Sequence, residues 1–208
     1  MKYPLNSGSL WGVWDLQVQT ILDDAYIELR SYYAELKVAD AAKWRSYVDK
    51  VGGEENALKF DSKLYFNDTT VDKKQRCYDY TWNLFAYLET YQPWVRCIGV
   101  TDHNYGDEIL LDALIACSQK TLPKVIGGVE INIGGTHMLV FFPDAVFAQP
   151  NFSQGIKTFL TKIGVHTKKS NGVLTVCGMG PTEVINVIKS QHGILIYPHC
   201  NSDNGLGS

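Results

Sequence analysis

The chain has 208 residues, 45% of them hydrophobic and 12% aromatic, with a formal net charge of −3. That is enough for one domain or a little more with a sizeable core, and it excludes a global electrostatic pull toward nucleic acid or anionic lipid, although a local basic groove stays open. The five cysteines (Cys77, Cys97, Cys117, Cys177 and Cys200) are odd in number, widely spaced and free of CxxC pairs, so a disulfide framework or a cysteine–zinc knuckle is not expected and a reducing compartment is.

The opening stretch MKYPLNSGSLWGVWD has no apolar signal-peptide core. No apolar run in the chain approaches the roughly 18 residues that span a bilayer. The expectation is a soluble cytoplasmic protein without membrane contact. Residues 13–19 form the first expected strand. The stretch 21–91 is rich in Tyr, Lys, Asp and Glu and reads as a helical excursion before the second strand. Helical patterning falls at 27–51 and 76–91, with an irregular loop over 52–72.

From residue 95 onward strands and helices alternate. Residues 95–101 (VRCIGVT) are nearly all apolar, as expected of a strand buried on both faces. A helix over 107–117 follows. Residues 124–133 (KVIGGVEINI) and 136–142 (THMLVFF) read as strands joined by Gly134-Gly135, a hairpin signal. Then come a helix over 152–163, a strand over 173–177, a helix over 181–191 that begins with proline, and a last strand over 193–197. This rhythm predicts an α/β architecture with largely parallel strands.

Functional side chains in such sheets gather at the carboxyl ends of strands. The second strand ends in Thr101-Asp102-His103-Asn104, the third carries Glu130, the fourth opens near His137, and the last ends in Pro198-His199-Cys200-Asn201. Three histidines and a glutamate on separate strands are the material of a divalent metal site. Glu130 lies in an apolar run, where an unpaired carboxylate is costly and a cation relieves that cost. His166 and His192 lie away from strand ends and take structural roles.

The ordered set resembles the PHP (polymerase and histidinol phosphatase) superfamily. Trp14-Asp15-Leu16-Gln17-Val18-Gln19-Thr20 looks like its opening D-L-H-x-H-T motif, and Ile98-Gly99-Val100-Thr101-Asp102-His103 looks like G-h-T-D-H. Gly128-Val129-Glu130, His137 and Tyr197-Pro198-His199 match the later motifs in family order, so the likeness spans residues 14 to 199. The lead-in from Gly8 to Asp15 further resembles PHP domains fused to SMC-like ATPases of the TrlF type.

The resemblance implies a distorted seven-stranded α/β barrel holding up to three divalent ions (zinc, manganese or iron), and hydrolysis of a phosphoester, nucleic acid included. Glu130 would bridge two ions, His137 and His199 would complete the second ion's ligands, and His103 would reach a third. Gln17 and Gln19 stand where the first ion's histidines belong, and alternation puts both on one strand face. A glutamine carbonyl is a poorer ligand than imidazole for zinc or iron. Asp102 has two readings: it orients a ligand or water on the catalytic side of the site, or it caps the following helix.

The family's final D-x-H motif does not occur, so the chain is expected to be the N-terminal portion of a longer polypeptide or to form an incomplete barrel. Two function classes follow: a metal-dependent phosphoesterase, or an inactive PHP-like module that regulates or scaffolds a partner, such as an SMC-like ATPase region. The tryptophans (Trp11, Trp14, Trp44, Trp82 and Trp94) come without a basic cluster and read as packing residues. Lys73-Lys74-Gln75-Arg76 and Lys168-Lys169 read as solvated loops, and Gly178-Met179-Gly180 lacks the GK[ST] of a phosphate loop.

Overall fold

A computed structural model describes residues 13–121, 123–143, 152–170 and 173–198. β1 (Val13–Val18), β2 (Val95–Val100) and β3 (Lys124–Ile133) run parallel and side by side. β4 (Thr136–Phe141) returns antiparallel to β3, and β7 (Ile194–Ile196) pairs antiparallel with β4. The result is an open five-stranded sheet in the order β1-β2-β3-β4-β7, and beside it β5 (Lys169–Ser170) pairs with β6 (Val173–Leu174).

The expected seven-stranded α/β barrel is therefore corrected to a mixed, five-stranded curled half-barrel. The reason lies in two connections. Gly134 and Gly135, at φ of 60° and 94°, close a two-residue turn, too short for the crossover that parallel strands need, so β4 must reverse. The expected strand over 173–177 does not enter the sheet as a full strand. It gives the two-residue β6 and a single parallel bridge between Asn132 and Val176.

Between β1 and β2 the chain forms a 3₁₀ turn (Leu29–Tyr32) and five helices: α1 (Tyr33–Ala39), α2 (Ala41–Val51), α3 (Glu54–Phe60), α4 (Lys63–Phe66) and α5 (Lys73–Tyr91). Residues 52–72, expected as an irregular loop, contain α3 and α4. Ser62 caps α4, and Asp72 caps α5. Gly52 ends α2 in the left-handed region at φ 81°. The helices enclose a small aromatic core of Tyr33, Trp44 and Tyr47, in which the Tyr47 hydroxyl donates to Asn83 Oδ1 at 2.5 Å.

The main core lies between the sheet and the helices α5, α6 (Glu108–Ser118), α7 (Phe152–Lys162) and α8 (Pro181–Ser190). Asp107 caps α6 through Ile109 and Leu110 and takes Lys73 Nζ at 2.6 Å, which ties α5 to α6. Gly99 and Gly128 leave room for the Phe141 ring: a Cβ on Gly128 would stand 2.6 Å from both that ring and the Val140 carbonyl. Among the described residues no helix is long and apolar enough to cross a membrane.

Candidate metal centre

The ladder that builds the sheet also builds the site. Beyond the end of β2 the parallel pairing with β3 continues by one bridge, His103 to Glu130. Glu130 N–H donates to the Asp102 carbonyl at 3.2 Å, and Asn104 N–H donates to the Glu130 carbonyl at 2.8 Å. Asn104 then turns the chain at φ 50°, a conformation asparagine tolerates better than most residues. Across the hairpin Glu130 faces Leu139 and Asn132 faces His137, so period-two alternation puts Glu130 and His137 on one face as diagonal neighbours.

Three donors converge as a result. His137 Nδ1 lies 2.7 Å from Glu130 Oε1, and His103 Nε2 lies 3.2 Å from the same oxygen. One ligand atom from each of His103, Glu130 and His137 falls within 4.8 Å of the others. Two donors on a tetrahedral zinc stand about 3.3 Å apart, given bonds of about 2.0–2.1 Å. Two imidazoles and a carboxylate with these separations can hold a divalent ion once it replaces the shared protons. His103 thus lies with Glu130 and His137 in one group of donors. His199, assigned to the same ion by resemblance, lies outside the described residues.

Glu130 is fully buried, and its second oxygen is occupied. Gln17 Nε2 donates to Oε2 at 3.1 Å and Gln19 Nε2 donates to it at 3.0 Å. The two glutamines therefore meet the site through their amide N–H groups. Burial pushes the Glu130 carboxyl upward, but its bonds with His103, His137 and Gln17 outweigh that and hold it below the usual value.

The side chain of Asp102 turns to the end of β1. Its carboxylate accepts the Thr20 N–H at 2.6 Å and the Thr20 hydroxyl at 2.7 Å, locking the end of β1 to the end of β2. Burial pushes it up to about 6 despite those bonds. Asp107, and not Asp102, caps the next helix.

Two contributors were not assigned to the site from the sequence. Asp23, 1% exposed, accepts the His103 backbone N–H at 2.7 Å and lies 3.1 Å from His103 Nδ1 through each carboxylate oxygen. Burial lowers the affinity of His103 for its second proton, yet the bonds to Asp23 and Glu130 more than offset this and push its pKa up to about 9. The second is Lys168, which the sequence suggested was solvated. Its Nζ donates to the Leu22 carbonyl at 2.9 Å and lies 3.8 Å from Asp23. With Lys169, Asp24 and His137 it lines a cavity of about 280 Å³ at the cluster. The available signal was position: the Asp23-Asp24 pair lies in the turn that follows β1.

No protein-family model, no curated protein and no solved structure matches this chain. The likeness to the PHP superfamily therefore rests on the motif residues themselves.

Proposed function

We propose that this chain is a divalent-metal-dependent phosphoester hydrolase whose ion is held by His103, Glu130 and His137. The observation that carries the reading is the convergence of these three donors beside a cavity that His103 and His137 line together with Lys168, Lys169, Asp23 and Asp24. A bound ion supplies two things there: a water acidic enough to attack near neutral pH, and positive charge against the developing phosphoryl oxyanions. The protein's own part is to hold the donors rigid on two strands and a strand end. Lys168 and Lys169 supply the cations at the rim, each beside an aspartate, Asp23 and Asp24. Lys168 also lines a neighbouring cavity of about 740 Å³ together with Lys73, Asp107, Glu108, Lys157 and His166, which gives room for the remainder of a substrate. The motif order shared with PHP proteins supports a phosphoester as the bond cleaved.

A second reading has an observation in its favour. The amides of Gln17 and Gln19 occupy Glu130 Oε2, where the resemblance puts the imidazoles of another ion. An inactive metal-binding module that scaffolds or regulates a partner, such as an SMC-like ATPase, fits that substitution. The test is hydrolysis of bis(p-nitrophenyl) phosphate by protein loaded with zinc, manganese or iron. Turnover that disappears in Glu130→Gln supports the enzyme. Stoichiometric metal without turnover favours the module, and protein that binds no metal overturns both.

A further inference from the structure

The cluster residues differ in how they are held, and His103 is held by an acid outside the cluster. Asp23 sits in the turn after β1, 1% exposed. Its Oδ2 accepts the His103 N–H at 2.7 Å, its Oδ1 accepts the Ala25 N–H at 2.8 Å, and both oxygens lie 3.1 Å from His103 Nδ1. The imidazole is therefore gripped on its Nδ1 edge, and the opposite nitrogen, Nε2, is the one 3.2 Å from Glu130. Two backbone donors pin the carboxylate itself, so it cannot turn without losing them.

We infer that Asp23 is a positioning residue: it keeps the proton of His103 on Nδ1 and aims the Nε2 lone pair at the ion site. This rests on the metal reading above. A carboxylate behind a ligating imidazole fixes both the tautomer and the ring plane, and it strengthens the imidazole as a donor. A structural role alone would require only the two backbone bonds. The bonds to the ring add to that a fixed Nδ1 edge, which sets where the far nitrogen points. Lys168 Nζ, 3.8 Å from Asp23 Oδ2, brings a positive charge to the same acid. Replacement by asparagine keeps the size but exchanges one acceptor oxygen for an NH₂ group, which must face an N–H it cannot satisfy.

Zinc titration of the full chain tests this with four proteins: wild type, Asp23→Asn, His103→Ala and the double variant. Asp23→Asn should weaken zinc binding about 10- to 100-fold. In the His103→Ala background the same change should have little further effect, because Asp23 acts through that ring. Equal affinity of wild type and Asp23→Asn, or losses that simply add, would overturn the inference and leave the metal site standing. A wild type that binds no zinc would overturn the metal reading itself, and the inference with it. Ring ¹⁵N NMR of zinc-loaded wild type needs no variant to fold. A proton on Nδ1 with Nε2 bound to zinc supports the inference, and the reverse assignment sinks it.

Discussion

Glu130 Oε1 stands 2.7 Å from His137 Nδ1, across a hairpin whose register places the two side chains on one face as diagonal neighbours. The contact is inherent in the ladder, since a shift of one residue would send one of the pair to the opposite face. Substitution of Glu130 by glutamine keeps the shape and removes the charge. It should therefore leave the circular dichroism spectrum native-like while zinc affinity falls at least tenfold by isothermal titration. Unchanged affinity would mean that the carboxylate is not a ligand.

Gln17 on β1 and Gln19 just past its end are the natural place to alter metal capacity. Gln17→His with Gln19→His returns two imidazoles to adjacent same-face positions of one strand, beside Glu130 Oε2. Bound metal per chain, measured by elemental analysis after dialysis, should rise above the wild-type value. No rise would show that the backbone at β1 does not bring those positions to an ion.

Asp61 provides a pH test remote from the cluster. It is fully buried, accepts the Tyr26 hydroxyl and the Arg30 N–H, and burial pushes it up to about 6 in spite of those bonds. A carboxyl raised on folding binds its proton more tightly in the native state. Its contribution to stability is therefore full below the unfolded value of 3.8 and is lost as pH rises through about 6. Asp61→Asn mimics the protonated form. The stability of this variant relative to wild type, from urea unfolding, should increase between pH 4 and pH 7. A pH-independent difference would contradict the assignment.

Gly128→Ala should destabilise the fold by about 1–3 kcal/mol, the range for overpacking a filled core. The new methyl meets the Phe141 ring and the Val140 carbonyl at 2.6 Å each, and backbone cannot give way as a side-chain tip can. Adding Phe141→Leu should recover part of the loss. Thermal unfolding of the single and double variants would show whether the clash with Phe141 is the cause.

Elements with long, strongly patterned sequences were legible in advance. The apolar run of β2, the Gly-Gly hairpin and the period-two placement of Gln17 and Gln19 each follow from local chemistry. The strand arrangement was not. β7 pairs with β4 at residues 139–141, more than fifty positions earlier in the chain, and no local pattern encodes that partner. Helices α3 and α4 are seven and four residues long, too short for a clear 3.6-residue period. Asp23 lies in a turn, where an acid usually means solvent. Only the tertiary contact with His103 marks it as part of the site. Asp102 stands next to His103 in sequence, and its side chain bonds to Thr20, a contact across the sheet that no local pattern encodes.

The central claim is that His103, Glu130 and His137 bind one divalent ion together. Zinc titration of the wild type against His103→Ala, Glu130→Gln and His137→Ala, each checked for native circular dichroism, measures it directly. The account predicts saturable binding in the wild type and a loss of at least tenfold in affinity for every one of the three variants. Wild-type binding that survives all three substitutions, or no binding by the wild type at all, would contradict it.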